Sequence, residues 1–169
     1  MIGQNDSLAY KLKPDLPLVG ACAVARGTAR LLSRHGIMVL SEVSLPNKRR
    51  ADLMGVDAKG QIVVIEIKVA RGDLLGDAKW TEYLDYCDRF YWAIPEELDR
   101  RPLDSEAFLP EKTGIIVADS YDAEIIRTAA TTPLAPARRK AETMRLARRA
   151  MQRLSVVNGW IDPAAYDQF

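Results

Sequence analysis

The stretch "VVIEIKVARGD", residues 63–73, decides how the rest of the chain is read. Val63, Val64, Ile65 and Ile67 are β-branched and apolar on both alternations of the chain, the pattern of a strand covered on both faces. Glu66 and Lys68 interrupt it. Two residues apart on a strand, they point to the same face. A charge on a covered sheet face costs desolvation energy unless a partner offsets it.

Upstream, RADLMGV (50–56) reads as a second strand, and Asp57-Ala58-Lys59-Gly60 as the turn that joins it to QIVVIEIKV (61–69). IMVLSEV (37–43) is a strand before the Pro46-Asn47 turn. Residues 18–35 carry Val24, Ala25, Thr28, Leu31 and Leu32 at helical spacing. Gly36 follows as a stop, and His35 at that end suits a capping role rather than catalysis. Downstream, Asp73 is placed to cap a helix running to about Cys87, on which Trp80, Leu84 and Cys87 recur as core positions. RFYWAI (89–94) is a strand stopped by Pro95, and 95–113 reads as a surface loop with one helical turn. GIIVAD (114–119) and AEIIRTA (123–129) are two last strands. Residues 136–154, PARRKAETMRLARRAMQRL, form a C-terminal basic amphipathic helix. The expected architecture is α/β, one domain over 1–169, with a mixed central sheet flanked by helices.

With the turn centred near residue 59, the hairpin register sets Asp52 opposite Glu66 on the face that Lys68 shares. Two opposed carboxylates repel, so a chain built only for stability would avoid the pair. A divalent cation resolves the conflict, since Mg²⁺ favours a few carboxylates plus water. Lys68 supplies a point charge to orient a water or to stabilise developing negative charge. Those are the parts that phosphodiester hydrolysis needs. The opposing reading is a solvent-facing Glu66–Lys68 pair of little energetic weight. Ile62 and Val64 share that face and argue that it is covered.

Arg50-Ala51-Asp52, thirteen residues, then Glu66-Ile67-Lys68 resembles the PD-(D/E)xK nuclease signature. The order helix, three strands, helix, strand resembles that superfamily's restriction-endonuclease-like core. The resemblance implies Mg²⁺ or Mn²⁺ held by Asp52, Glu66 and the carbonyl of Ile67, with Lys68 assisting the attacking water. Ala51 replaces the motif's proline. The first helix lacks the acid many members carry there, and Arg26 lies about where it would be; Glu42 or Asp73 are the candidates to compensate. The longer block RRADLMGVDAKGQIVVIEIKVARGDLLGDAKWTEYLDYCDRFYWAIP (49–95) resembles the MmcB-like bacterial DNA repair proteins. It implies DNA repair on a nuclease-type scaffold, either as a nuclease or as a catalytically silent DNA-binding or scaffold protein.

The net charge of +1 conceals a separation. Of 24 basic and 23 acidic residues, seven basic groups and one acid fall within 136–154, leaving the remainder at −5. A basic element on an acidic body points to a polyanionic partner, and DNA is the expected one. On a helical wheel Arg138, Arg145, Arg149 and Arg153 gather on one side, with Met144, Leu146, Ala147, Ala150, Met151 and Leu154 opposite. The expectation is an apolar face docked on the body and an arginine face turned to phosphates. Lys48, Arg49 and Arg50 beside Asp52, and Lys79 on the following helix, are further phosphate candidates. Asp77 is expected to pair with a neighbouring arginine. Tyr121, Trp160 and Phe169 are candidates for a homodimer or repair-partner surface.

The composition, 48% hydrophobic and 28% charged, is that of a globular chain. No apolar run reaches the ~20 residues of a membrane helix, and the first fifteen residues lack a secretory pattern. Cys22 and Cys87 have no metal-ligand spacing, which suits a reduced, cytoplasmic protein. There is no glycine-rich phosphate loop, serine elbow or zinc spacing.

Overall fold

Residues 19–162 are described by a computed structural model, so the expectations placed on the N-terminal stretch and on Phe169 lie outside the described residues. The chain runs α1 (Gly20–Arg34), β1 (Met38–Ser44), β2 (Arg50–Val56), β3 (Ile62–Ile67), α2 (Arg71–Gly76), β4 (Arg89–Ile94), β5 (Gly114–Ala118), β6 (Ala123–Arg127) and α3 (Pro136–Val157). One six-stranded sheet has its strands in chain order. β1, β2 and β3 are antiparallel neighbours, β3–β4 and β4–β5 are parallel, and β6 returns antiparallel.

β3 is central and buried at every position, as its unbroken β-branched run requires. Val63, Ile65 and Ile67 face α1, with Val24, Leu31 and Leu32 of the helix closing that layer. α1 ends as expected. Ile37 N–H donates to Leu32 O and Gly36 N–H to Ser33 O, and Gly36 takes a φ of +72°. Gly27 is needed for a close approach, because a Cβ there would stand 2.2 Å from the Asp119 carbonyl.

Ile62 and Val64 face the other layer, where Trp80, Tyr83, Phe90, Trp92 and Phe108 form an aromatic cluster. That covered face also carries Glu66 and Lys68. Leu103 and Phe108 are buried in this cluster. The 95–113 segment is therefore part of the core through two 3-10 turns, Arg101–Asp104 and Glu106–Phe108, rather than a surface loop.

The expected helix from Asp73 to Cys87 is broken. α2 begins at Arg71, with Asp73 inside its first turn and not at its cap, and it ends at Gly76. A separate 3-10 helix spans Trp80–Tyr86. Gly72 and Gly76 weaken the helix from within. The Asp77 carboxylate is drawn to Lys68 and also accepts the Lys79 N–H at 3.3 Å. The core positions survive the break, since Trp80 and Cys87 are buried.

The largest departure concerns the orientation of α3. Glu142 and Leu146 are its buried residues, so Leu146 lies on the arginine side and not opposite it, whereas Met144, Met151, Leu154 and Val157 are more than half exposed. The helix docks through its charged side because the body offers acceptors there. Arg139 pairs with buried Asp88, and the Arg138 guanidinium lies 4.9 Å from the Tyr86 ring centroid. Arg145 Nε donates to Glu142 at 2.8 Å, and Arg153 donates to the carbonyls of Ser41 and Glu42. Long arginine stems cover apolar surface while their heads find these partners.

Candidate functional site

β2 and β3 pair Leu53 with Ile65 and Met54 with Val64. One step further along this register Asp52 stands opposite Glu66, as the sequence leads one to expect. The ladder does not close in the ordinary way at this level. The Ile67 amide donates to Asp52 Oδ2 at 2.7 Å, and the Asp52 amide approaches Glu66 Oε1 at 3.4 Å. Each carboxylate is thus tied to the backbone of the opposite strand by one oxygen. Glu66 also interacts with the Tyr83 hydroxyl, and its Oε2 lies 3.9 Å from Lys68 Nζ.

Glu66 is 4% exposed and Lys68 7%. Burial, and then the neighbouring Asp52 charge, push the Glu66 carboxyl up to about 8. Burial also raises Asp52, against the Ile67 amide that lowers it. Burial works against the Lys68 charge, but the Asp77 hydrogen bond and nearby acids outweigh it and hold the ammonium above its usual value. Lys68 Nζ lies 2.8 Å from Asp77 Oδ2 and 3.9 Å from Glu66 Oε2. Asp77 therefore pairs with a lysine and not with an arginine. Tyr83 completes the wall. Its hydroxyl donates to the Arg50 carbonyl at 3.0 Å, and burial together with Glu66 holds it above the ordinary tyrosine range.

Glu42 is on β1 between Val43, which pairs with Ala51, and Ser41, which pairs with Leu53. It therefore neighbours Asp52, with a left-handed φ of +54° that leaves the β1–β2 register unshifted. Its carboxylate pairs with Arg50 at 2.6 Å. Asp73 is exposed on α2 and makes no ion pair among the described residues. No group of three or more His, Cys, Asp or Glu side chains stands ready to ligate a metal among the described residues. The donor set on hand is two carboxylates, which suits a hard cation that keeps much of its water. The fit is electrostatic as well: burial and the nearby Asp52 charge disfavour the second charge of the pair, which a cation would offset.

The phosphate candidates divide. Arg49 is bound by Glu82 at 2.7 Å, and Arg50 by Glu42. Lys48 and Lys79 are exposed and make no ion pair among the described residues. Arg145 and Arg153 are partly buried and bound to Glu142 and to the carbonyls of β1, and Arg138, though exposed, lies against Tyr86, which corrects the outward arginine face read from the wheel; Arg149 is only partly exposed. Asp77 and Tyr83 were not legible as site residues. The glycines at 72 and 76, which break the helix and free the Asp77 side chain, are the signal that could have revealed it. Tyr121 and Trp160 are exposed.

The model of the DNA repair protein MmcB-like family matches residues 18–160. A solved protein of unknown function from Silicibacter pomeroyi is 41% identical, with a TM-score of 0.74 over 85% of this chain and 94% of that one. No curated protein matches. Among the described residues no helix is long and apolar enough to cross a membrane.

Proposed function

The chain belongs to the MmcB-like DNA repair family, which implies a role in DNA repair, and from that premise we propose that it is a metal-dependent DNA nuclease of the PD-(D/E)xK type. One observation carries the reading. Asp52 and Glu66 are held together on a buried sheet face by opposite-strand amides, with Lys68 beside them.

In this reading Asp52 and Glu66, with the Ile67 carbonyl, hold Mg²⁺ or Mn²⁺. The ion supplies Lewis-acid polarisation of a phosphoryl oxygen and a more acidic water. The amides of Ile67 and Asp52 fix the two carboxylates before substrate arrives, so little reorganisation is needed at the reacting phosphate. An ammonium has three donors. Asp77 takes one, which anchors Nζ while the others orient a water or meet charge developing on the phosphate. Tyr83, bonded to the Arg50 carbonyl, holds the start of β2 against the site and keeps bulk water from Glu66.

The experiment is cleavage of single-stranded, flapped and branched DNA by the full-length chain with Mg²⁺ or Mn²⁺, beside Glu66→Gln. Cleavage that falls at least about a hundredfold in the variant supports the assignment; undiminished cleavage overturns it. A second reading, a DNA-binding or scaffold member without turnover, is favoured by the acid-free α1 and by the engagement of Lys68 with Asp77. Salt-sensitive DNA binding with no hydrolysis of any substrate selects it.

A further inference from the structure

The acids at the site repel the polyanion that the site is proposed to take. Glu42, Asp73 and Asp77 surround Asp52 and Glu66, so a bound strand needs cations close by. Three of the seven cations on α3 are spent elsewhere, Arg139 on Asp88, Arg138 on Tyr86 and Arg153 on the carbonyls of β1. Between α3 and the end of β1, however, lies a cavity of about 440 Å³. Arg145, Arg148, Arg149 and Gln152 line it from the helix, with Ser44 and Pro46 across from them. Arg148 is exposed and makes no hydrogen bond or ion pair among the described residues. Arg145 binds Glu142 only through Nε. Two guanidinium groups and a serine lining one cavity supply the donors that suit the multi-oxygen geometry of a phosphate group. Ser44 is two residues along β1 from Glu42, about 7 Å, and Glu42 neighbours Asp52. The cavity therefore lies within the reach of one strand that passes the two catalytic acids.

We propose that this cavity seats a backbone phosphate of a DNA strand, near the phosphate at Asp52 and Glu66, with Arg148 as its principal charge. The proposal rests on DNA being the ligand of the candidate site. It assigns the DNA-contacting role on α3 to the Arg148 side of the helix, in place of the arginine row that the body occupies.

The test is equilibrium binding of a fluorescent single-stranded oligonucleotide by the full-length chain in EDTA, so that no hydrolysis intervenes, over a range of salt concentrations. Arg148→Gln is compared with Lys140→Gln, an exposed cation on the other flank of α3, next to Pro136 and Thr143. The expected result is a roughly five- to tenfold loss of affinity for R148Q, and a salt slope shallower by about 0.7, the value for one phosphate on a single strand. K140Q is expected to lie within about twofold of wild type. Unchanged binding by R148Q overturns the proposal, as does an equal loss in K140Q, which would mean diffuse charge and not a pocket. If wild type binds in the salt-dependent manner and R148Q matches it, the pocket alone fails and the DNA reading stands. A wild-type chain that shows no salt-dependent DNA binding overturns both.

Discussion

Lys68 and Asp77 form a short ion pair, 2.8 Å between Nζ and Oδ2, on a sheet face where both side chains are largely buried. Two elements are joined by it: the end of β3 and the break between α2 and the following 3-10 helix. Removing one member strands the other charge, which costs more than the pair itself contributes. Asp77→Ala should therefore destabilise the chain by about 3 kcal/mol in urea titrations. The double variant Lys68→Met/Asp77→Leu should recover most of that loss. A single variant as stable as wild type would show that solvent, and not Asp77, satisfies the lysine.

The raised Glu66 carboxyl makes stability depend on pH. Folded, it holds its proton to about 8, whereas its ordinary value is 4.5. Its stabilising contribution is present below 4.5 and is lost as pH rises towards 8, because the unfolded chain releases the proton first. Asp52, also raised, acts in the same direction. In EDTA, Glu66→Gln should gain on wild type between pH 5 and pH 8, by on the order of a few kcal/mol. Thermal melts across that range check the sign. A wild-type advantage that grows with pH would contradict the burial argument. Added Mn²⁺ should raise the wild-type Tm most at the alkaline end and leave the variant unmoved.

Asp88 ties three segments at one point. It accepts the Ile62 amide at 2.7 Å and the Leu134 amide at 2.8 Å, and it pairs with Arg139 of α3. Burial alone would raise its carboxyl, but Arg139 and the two amides hold it below the ordinary range. Asp88→Ala leaves those donors without an acceptor and should cost about 3–5 kcal/mol. Hydrogen exchange should locate the loss, with amides near the start of α3 losing protection before those of β3.

The orientation of α3 has its own test. Leu146 is buried, so Leu146→Ala should cost about 2–5 kcal/mol. Met151 is 66% exposed, so Met151→Lys should change stability by less than about 0.5 kcal/mol. The reverse ranking in denaturant titrations would mean that the helix docks by its apolar side.

Local pattern and register were legible in the amino-acid sequence by itself. The β-branched residues of 62–67 read as a strand covered on both faces, and β3 is buried throughout. The Asp57–Gly60 turn set the hairpin register, and that register placed Asp52 against Glu66 with Lys68 on the same face. These features follow from neighbours a few residues apart, where strand alternation and turn chemistry decide the outcome. Tertiary structure decided which partner each charge takes. Asp77 pairs with Lys68 and not with an arginine, because α2 stops at Gly76 and leaves Asp77 beside the lysine at the end of β3. The wheel of α3 separated arginines from methionines correctly, yet the helix turned its arginines inward. Hydrophobic periodicity says which residues share a face. Whether that face meets the body depends on the acceptors that distant segments present, here Asp88, Tyr86 and the carbonyls of Ser41 and Glu42, and no local pattern records them.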